Sequence, residues 1–280
     1  METLLIVDGS NLLFQMFFGM PARIVNKEGK AIQGTLGFVG ALLKIIRLVQ
    51  PTRVVALFDG ECHNERKEWD EAYKANRPDY SQMAEEDTPF SQLPDIYAAL
   101  DDLGIRRMET TVCETDDLVA SYALRYGKNA KVVISSFDSD FFQLITQNVS
   151  VLRYRGDKTV ICDEEYVRQK FGVLPYQYVD FKALVGDTAD NIKGVDHIGP
   201  KRAAGLLTAF GNLDGVLQNA NQIKRPSIRA AVLASEERLR LNQRLIRLDD
   251  KMCLPYEWDC LRFSYGGKTT NEVLTSIGLR

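Results

Sequence analysis

Three short apolar runs, each followed by an acidic residue, constrain this chain more than any other feature of its sequence. The runs and their acids are residues 4–7 before Asp8, residues 54–58 before Asp59, and residues 132–134 shortly before Asp138. Continuous apolar runs of this length are typical of strands that are buried on both faces of a parallel sheet. Ligands of such sheets bind outside the carboxyl ends of the strands, so the three acids are expected to face one cleft.

Six further acids lie in short clusters and bring the candidate metal ligands to nine: Asp8, Asp59, Glu114, Asp116, Asp117, Asp138, Asp140, Asp187 and Asp190. Each acid alone could be a helix cap, a first-turn residue or part of a polar loop. Together in one cleft, they would suppress one another's ionisation unless cations neutralised them. Carboxylate oxygens are ligands that Mg²⁺ prefers, and two such ions can activate a water and stabilise a leaving oxygen in phosphoryl transfer.

The size and composition of the chain allow one large domain or two smaller ones. It has 280 residues, 45% of them hydrophobic, and no apolar run is long enough to cross a membrane. Its first residues, Met1-Glu2-Thr3, lack the positive charge of a signal peptide. Five scattered cysteines without a CxxC pair (residues 62, 113, 162, 253 and 260) argue against a zinc site and for reduced thiols, so we expect a cytoplasmic location.

Other hydrolytic and nucleotide-binding chemistries lack their residues in this chain. The only histidines are His63 and His197, which argues against catalysis by a histidine pair, and no G-x-S-x-G motif is present. Residues 194–199 begin like a phosphate-binding P-loop, but Pro200 breaks the required Gly-Lys order, so ATP binding is rejected there. Ser10 stands where an Asp-x-Asp phosphatase would need its second acid.

The charge distribution is uneven along the chain. The net charge of −3 does not by itself suggest a nucleic-acid-binding protein, but the nine candidate acids outweigh it and leave the rest of the chain positive. Residues 191–247 contain ten Lys and Arg against four Asp and Glu. A basic region beside an acidic metal cleft suits a polyanion that is held by its backbone. A helical surface that is exposed to water and binds no polyanion would have the same composition.

Periodicity and turn residues predict an alternation of strands and helices. We predict strands over residues 3–7, 53–58 and 131–136, a hairpin of 149–154 with 159–162, and helices over 35–49, 92–103, 114–127, 138–146 and 164–171. Residues 60–90 are polar and aromatic, and we interpret them as an insertion outside the core. Short helices separated by glycines follow from about residue 176. The alternation indicates a mostly parallel sheet covered on both faces.

In order and spacing, the acidic segments and their neighbours resemble the 5′-nuclease family, which includes flap endonucleases and the 5′→3′ exonuclease domain of bacterial DNA polymerase I. The motifs that carry the resemblance, over residues 3–210, are Asp8-Gly9-Ser10-Asn11, Phe58-Asp59, Arg66, Tyr73-Lys74-Ala75-Asn76-Arg77-Pro78, Glu114-Thr115-Asp116-Asp117, Asp138-Ser139-Asp140 with Gln143-Leu144, and Gly186-Asp187 through Asp190-Asn191-Ile192. No polymerase follows, so the chain looks like a stand-alone bacterial member.

The resemblance implies a fold and a division into domains. The fold would be α/β, a PIN-like 5′-nuclease fold with a mostly parallel central sheet flanked by helices. Residues 1–175 would form the catalytic core, with a helical arch at about residues 60–90. Residues 176–280 would form a helix–hairpin–helix DNA-binding region and a C-terminal segment that packs back on the core.

The resemblance also implies roles for the charged residues. A first metal site would be formed by Asp8, Asp59, Glu114 and Asp116, and a second by Asp138, Asp140 and Asp190, with Asp116 near both and with Asp117 and Asp187 as supporting acids. Lys74 and Arg77 would be the catalytic cations at the base of the arch, where a fixed positive charge stabilises the transition state at the scissile phosphate. Arg66 would contact DNA.

Duplex DNA would bind at the helix–hairpin–helix element through Gly194, Val195, Ile198, Gly199, Lys201 and Arg202. Its backbone N–H groups and the following helix N-terminus would approach a phosphate, and K⁺ could join the contact. His197 stands where the family usually has glycine, and Gln15 where many bacterial members have arginine. Of the aromatic residues after Asp8, Phe17 is expected to stack on a terminal base.

These features predict a Mg²⁺-dependent, structure-selective 5′ nuclease that acts by a two-metal mechanism on DNA with a 5′ flap, a nick or a 5′ end, in replication or repair. Mn²⁺ could replace Mg²⁺, and a monomer is expected. Two alternatives stay open: a non-catalytic protein that binds DNA of particular structure, and a nuclease that removes RNA primers as RNase H does. The sequence decides neither exonuclease against endonuclease preference nor any protein partner.

Overall fold

A six-stranded sheet forms the centre of the protein in the computed structural model, which describes residues 2–60, 65–80 and 83–280. The strands are β1 (Thr3–Asp8), β2 (Arg53–Asp59), β3 (Arg106–Thr110), β4 (Lys131–Ser135), β5 (Val149–Arg153) and β6 (Val160–Cys162). Their order across the sheet is β3-β2-β1-β4-β5-β6, and all neighbours are parallel except β6, which is antiparallel to β5. The predicted mostly parallel sheet is confirmed, as is the hairpin.

Helices cover both faces of the sheet. They are α1 (Gly9–Gly19), α2 (Gln33–Val49), α3 (Glu65–Trp69), α4 (Leu93–Asp102), α5 (Thr115–Tyr126), α6 (Glu164–Phe171), α7 (Tyr178–Val185), α8 (Pro200–Phe210), α9 (Leu213–Gln218), α10 (Pro226–Ala234), α11 (Glu236–Ile246) and α12 (Thr270–Ser276). In the described part of the chain, none of them has both the length and the apolar composition to cross a bilayer.

The apolar runs build two cores because successive side chains of a strand point to opposite faces. Leu4 and Ile6 of β1 pack in one core, which includes residues of α5 and α7. Leu5 and Val7 pack in the other, together with residues of α2 and α4. All four side chains are fully buried, and burying each contributes about 1.5–3 kcal/mol. This two-sided burial fixes where each strand ends, and with it the positions of the acids that follow.

The structure differs from the predicted elements in two places: it contains a strand that was not predicted, and it replaces a predicted helix by a shorter turn. The sequence does not predict β3, because its residues are mostly charged and it lies at the edge of the sheet, paired only with β2. An edge strand of this kind needs no continuous apolar run. The predicted helix over 138–146 is instead a short 3₁₀ turn, Asp140–Leu144, which follows the acidic loop after β4.

The described part of residues 60–90 contacts the core through a few buried residues, while most of its other residues are exposed. The described residues of this segment form the short helix α3, which is followed by two 3₁₀ turns, Glu85–Asp87 and Pro89–Gln92. Arg66, Tyr73 and Lys74 are buried because Arg66 and Lys74 pair with acids of the cleft. A helical arch at about residues 60–90 therefore stays a prediction. Residues 61–64 and 81–82, with the predicted free Cys62 and with His63, lie outside them.

A compact turn joins α7 to α8. It contains the two-residue strands β7 (Gly186–Asp187) and β8 (Ile192–Lys193), which pair with each other. A Cβ atom on Gly194 would lie 2.2 Å from the carbonyl oxygen of Val185, so only glycine fits there. Helix, hairpin and helix thus follow one another in the predicted region, while the domain boundary at residue 175 stays a prediction.

The C-terminal segment packs back on the core. The backbone N–H of Met252 donates to Ser121 Oγ of α5 at 2.9 Å, and the N–H of Phe263 donates to the carbonyl oxygen of Thr52 at 2.9 Å. The guanidinium of Arg53 lies over the ring of Trp258 at 4.0 Å. These contacts tie residues near the end of the chain to β2 and α5.

Candidate metal and nucleic-acid site

The predicted acids meet at the carboxyl edge of the sheet. Asp8 and Asp59 are the last residues of β1 and β2, and Asp138 follows the end of β4 by three residues. Glu114, Asp116 and Asp117 lie at the N-terminal end of α5. Asp140 begins the 3₁₀ turn, Asp187 lies in β7, and Asp190 follows in the loop to β8. Strand ends and helix starts, which are local features, therefore bring five sequence segments to one place.

Asp8 is held rigidly at the centre of this edge. Its Oδ1 accepts the N–H of Asn11 at 3.1 Å and so caps α1, and its Oδ2 accepts the hydroxyl of Ser136 at 2.7 Å. Burial, followed by the charges of Asp59 and Asp138, raises the pKa of Asp8 to about 7, although both hydrogen bonds oppose the rise. A carboxyl group with such a pKa is poised to bind a cation in place of a proton.

Asp116 completes the group around Asp8. Burial raises the pKa of Asp116 well above its ordinary value, and the charges of Asp138, Asp59 and Asp8 add to this although Lys74 opposes it. Three further carboxylates therefore act on this one partly buried carboxyl group. Crowding of this degree is what a divalent cation would relieve.

A second group consists of Asp140, Asp187 and Asp190. One carboxylate oxygen from each lies within 4.8 Å of the others, which is close enough to share a metal ion. Burial raises the pKa of Asp140 to about 7, with Lys182 lowering it and Asp138 and Asp187 raising it. The donors are all carboxylates, as hard divalent ions such as Mg²⁺ require. The residues present therefore fit such an ion.

Asp138 links the two groups. Its charge raises the pKa of Asp8 and Asp116 in the first group and of Asp140 and Asp190 in the second. Its Oδ1 accepts the N–H of Asp140 at 2.8 Å, and its own N–H donates to Ser136 Oγ at 2.9 Å. The position of this carboxylate is thus fixed by the same serine that holds Asp8.

Two lysines are buried among these acids. Lys74 Nζ lies 2.7 Å from Glu114 Oε1 and 3.9 Å from Asp116 Oδ2. Although burial opposes it, neighbours led by Asp116 raise the pKa of the Lys74 ammonium above its ordinary value. Lys182 of α7 pairs with Asp140 and with Asp187. Lys182 was not among the predicted site residues, and its signal was a lysine in a mostly apolar helical run that also contains Asp180.

Arg77 is the accessible cation of the site. Its side chain is 54% exposed, and its Nη2 lies 3.1 Å from Asp190 Oδ1. The N–H of Lys74 donates to the carbonyl oxygen of Asp190 at 3.0 Å, and Lys74 has a positive φ of 57°. The turn between the two cations is therefore fixed on the loop that carries Asp190.

Arg66, a predicted DNA contact, and Asp117, predicted as a supporting acid of the metal site, pair with each other inside the protein. Arg66 is buried, and its guanidinium donates to both oxygens of Asp117 at 2.7 and 2.8 Å and to the carbonyl oxygen of Leu245 at 3.0 Å. Asp117 also accepts the N–H of Asp249 at 2.8 Å. Both side chains are used to join α3 and α5 to the C-terminal part, so Asp117 supports the site from behind.

Phe18 is more exposed than Phe17, the residue predicted to stack on a base. Phe17 is partly buried and packs against the core between α1 and α2, whereas Phe18 is 56% exposed. The ring of Phe18 stacks with that of Tyr80 at 6.3 Å, and Tyr80 also contacts Phe90 at 5.8 Å. Consecutive side chains of a helix point in directions about 100° apart, so one of two neighbouring residues can face the core while the other faces the surface.

The predicted helix–hairpin–helix contacts divide into buried and exposed groups. The side chains of Val195 and Ile198 are buried, and the N–H of Val195 donates to the carbonyl oxygen of Leu184 at 2.9 Å. Gly194 allows the backbone to pack closely against Val185. Gly199, Lys201 and Arg202 are exposed at the start of α8. They are the predicted contacts that a phosphate could reach.

His197 occupies a position that suits glycine. Its φ is +67°, in the left-handed region that non-glycine residues rarely adopt. The guanidinium of Arg202 donates to the carbonyl oxygen of His197 at 2.6 Å and so stabilises this turn. The departure from the expected glycine therefore changes a side chain and leaves the backbone conformation of the turn intact.

We expect the metal-free protein to lose stability as the pH rises from about 4 to about 7. Folded Asp8 and Asp140 have pKa values of about 7 against an ordinary value of 3.8. Between these values the folded state binds more protons than the unfolded state, so the free energy of unfolding falls with rising pH. Thermal unfolding in EDTA from pH 5 to pH 8 measures this slope.

An Asp8→Asn variant should flatten the slope, whereas Asp157→Asn, in the exposed turn between β5 and β6, should leave it unchanged. Added Mg²⁺ should raise the unfolding temperature more at pH 8 than at pH 5, because the carboxylates must lose their protons to bind it. An equal effect of Mg²⁺ at both pH values would show that these acids do not hold the ion.

Two protein-family models match consecutive parts of this chain. A family model described as the N-terminal resolvase-like domain of 5′-3′ exonucleases matches residues 3–172, and one described as their C-terminal SAM fold matches residues 173–268. A 5′-3′ exonuclease of Aquifex aeolicus is 33% identical over 249 residues, which are 89% of this chain and 82% of that protein.

Longer relatives match over the same region. The thermostable DNA polymerase I of Thermus thermophilus is 36% identical over 256 residues, which are 91% of this chain and 29% of the polymerase. The chain thus spans less than a third of the length of the DNA polymerases I that it matches.

Solved structures show the same fold. A flap endonuclease of bacteriophage T5, in a pseudo-enzyme–product complex with DNA and metal ions, is 26% identical with a TM-score of 0.70, over 89% of this chain and 90% of that one. The catalytic core of Rad2 in complex with DNA substrate is 14% identical with a TM-score of 0.58, over 99% and 93% of the two chains. The second likeness concerns the fold alone.

Proposed function

Because this chain belongs to the 5′-3′ exonuclease family, we propose that it is a Mg²⁺-dependent, structure-selective 5′ nuclease that hydrolyses DNA in replication or repair. The observation that carries the proposal is the meeting of acids from five segments at one edge of the sheet, with cations buried between them. The proposed substrate is a 5′ flap or a free 5′ end beside duplex DNA. The products would have a 5′-phosphate and a 3′-hydroxyl.

We assign the acids to two divalent ions, one held by Asp8, Asp59, Glu114 and Asp116 and the other by Asp138, Asp140, Asp187 and Asp190. When bound, such ions activate a water and stabilise charge on the departing oxygen. The protein residues fix the ligand positions: Ser136 holds both Asp8 and Asp138, and Asp138 holds the backbone of Asp140. Mn²⁺ suits the same ligands.

Arg77 and Lys74 would act on the substrate phosphate in different ways. Arg77 is exposed and can reach a phosphate directly, and a guanidinium can donate two parallel hydrogen bonds to it. Lys74 is buried between Glu114 and Asp116 and would stabilise developing negative charge from inside the cleft. Both remain proposed catalytic residues.

Duplex DNA would bind at the start of α8. The N-terminal end of this 11-residue helix carries a partial positive charge, and Lys201 and Arg202 add two full charges there. Gly199 has open space where a side chain would be, so a phosphate can come close to the backbone. Binding of K⁺ at this turn stays a prediction.

Phe18→Ala should weaken binding of an unpaired 5′ flap, because stacking of a base on an exposed aromatic ring contributes about 1–3 kcal/mol. Phe17→Ala is the matched variant, and it should instead lower the free energy of unfolding, by up to about 3 kcal/mol, because it removes core packing. Flap affinity in Ca²⁺ and chemical unfolding measure the two effects. Equal loss of flap affinity in both variants would refute the assignment of Phe18.

A panel of substrates tests the proposed function. A 5′ flap, a nicked duplex, a blunt duplex and single-stranded DNA of the same sequence are incubated with the protein and Mg²⁺, and a flap with an RNA 5′ segment is added to the set. We expect the flap and the nicked duplex to be cut fastest. Tight flap binding without cleavage of any substrate would favour a non-catalytic DNA-binding protein, and cleavage confined to RNA would favour primer removal.

A further inference from the structure

Lys182 is a buried cation in the middle of the second acidic group. It lies on α7, where its neighbours in the chain, Phe181 and Ala183, are buried and apolar. Its Nζ forms ion pairs with Asp140 and Asp187, and side-chain exposure is below a tenth for Lys182 and Asp140. A lysine at such a depth needs partners, because an unpaired buried ammonium is strongly unfavourable.

The partners of Lys182 are the same oxygens that could hold a metal ion. Asp140 and Asp187, with Asp190, form the acidic group that has the spacing of a metal site in the described residues. Within this described part, Lys182 is also the one cation that pairs with Asp140 or with Asp187. Asp190 has a different partner, Arg77.

An ammonium and a divalent ion cannot both use these two carboxylates at full strength. The two cations would compete for the same lone pairs and would repel each other at a separation of a few ångströms, where charges in a protein interact strongly. Asp138 also acts on Lys182, so a neighbouring acid is available to the ammonium if it moves away from the other two.

We propose that Lys182 is an internal competitor of the second metal ion: its ammonium balances the charge of Asp140 and Asp187 when no divalent ion is bound, and it must be displaced from them when the ion binds. The inference rests on the proposed function and adds a residue that sets metal affinity. The ion pairs of Lys182 explain how the three acids can lie close together when no metal ion is bound.

Removing the charge of Lys182 should therefore strengthen metal binding. In Lys182→Met, Mn²⁺ should bind to the second group at least about tenfold more tightly than in the unchanged protein. Lys182→Gln, which can still donate a hydrogen bond to the carboxylates, should also bind Mn²⁺ more tightly because it lacks the charge. Lys128→Met, an exposed lysine after α5, should bind as the unchanged protein does.

Calorimetric titration of the full chain with Mn²⁺, without DNA, measures these affinities, and unfolding curves show that each variant is folded. A second Asp140→Asn substitution should abolish the gain, which places it at this group. Unchanged or weaker Mn²⁺ binding in folded Lys182→Met and Lys182→Gln would overturn the proposal and make Lys182 a residue that positions the carboxylates. If the unchanged protein bound no Mn²⁺ at all, the proposed nuclease function would itself fail.

Discussion

Replacing Asp138 by asparagine is expected to lower the rate of flap cleavage by more than about 100-fold, which is the upper range for residues that only orient metal ligands. Asp138 is the acid whose charge acts on both groups, so its loss should weaken metal binding at each of them. The amide keeps the size of the side chain and can still accept the N–H of Asp140. The fold and the binding of flap DNA in Ca²⁺ should therefore stay the same.

Asp259→Asn is the matched control for this experiment, because Asp259 is exposed on the C-terminal segment and forms its ion pairs, among the described residues, with Arg53 of β2 and with Arg262. It should leave cleavage unchanged. A loss of DNA affinity in Asp138→Asn as large as its loss of cleavage would contradict the assignment, since the residue would then act in binding rather than in the metal site.

Replacing Arg66 by methionine should destabilise the protein by about 3–5 kcal/mol, because it leaves the buried carboxylate of Asp117 without its cation. Arg66 also donates to the carbonyl oxygens of Leu245 and Arg247, so its loss should free the end of α11 from α3. The midpoint of chemical denaturation measures the effect. Adding Asp117→Leu should recover part of the loss, because both members of the buried pair are then apolar.

Arg168→Met provides the comparison for this change. Arg168 forms an exposed ion pair with Glu165 on α6, and such pairs contribute only about 0–1 kcal/mol. If Arg66→Met were no more destabilising than Arg168→Met, the buried network would not hold the segment after β2 against the core. If Arg66→Met kept its stability but lost DNA affinity, Arg66 would contact DNA after all.

The strand ends and their acids could be predicted from the sequence because burial on both faces leaves a continuous apolar run. Asp8 and Asp59 end such runs, and their meeting follows from the parallel pairing of β1 with β2. By the same logic β3 could not be predicted, since an edge strand with Arg106 and Arg107 has no such pattern. The centre of the sheet and its hairpin edge were thus predictable, and the edge formed by β3 was not.

The partners of the cations could not be predicted from local sequence. Arg66 pairs with Asp117, 51 positions away, and Lys182 pairs with Asp140, 42 positions away. Only the packed chain shows that these cations neutralise acids inside the protein. Charge alone therefore overstates the number of residues that face a polyanion.

The more exposed of Phe17 and Phe18 could not be predicted, for a different reason. Both residues follow Asp8 on α1, and the helix start is fixed by the Asp8 cap. A helix packed on one side by α2 leaves part of its circumference exposed, and a pattern of three phenylalanines does not show which one lies there. The rotation of the helix on the sheet decides it.

The most direct measurement is cleavage of a 5′-flap duplex, labelled at the 3′ end of the flap strand, in Mg²⁺ and in EDTA. We predict a cut near the junction in Mg²⁺ and none in EDTA, with product lengths that separate a single endonucleolytic cut from stepwise removal. Cleavage of equal rate in EDTA, or none in Mg²⁺ or Mn²⁺ despite tight flap binding, would contradict a metal-dependent nuclease.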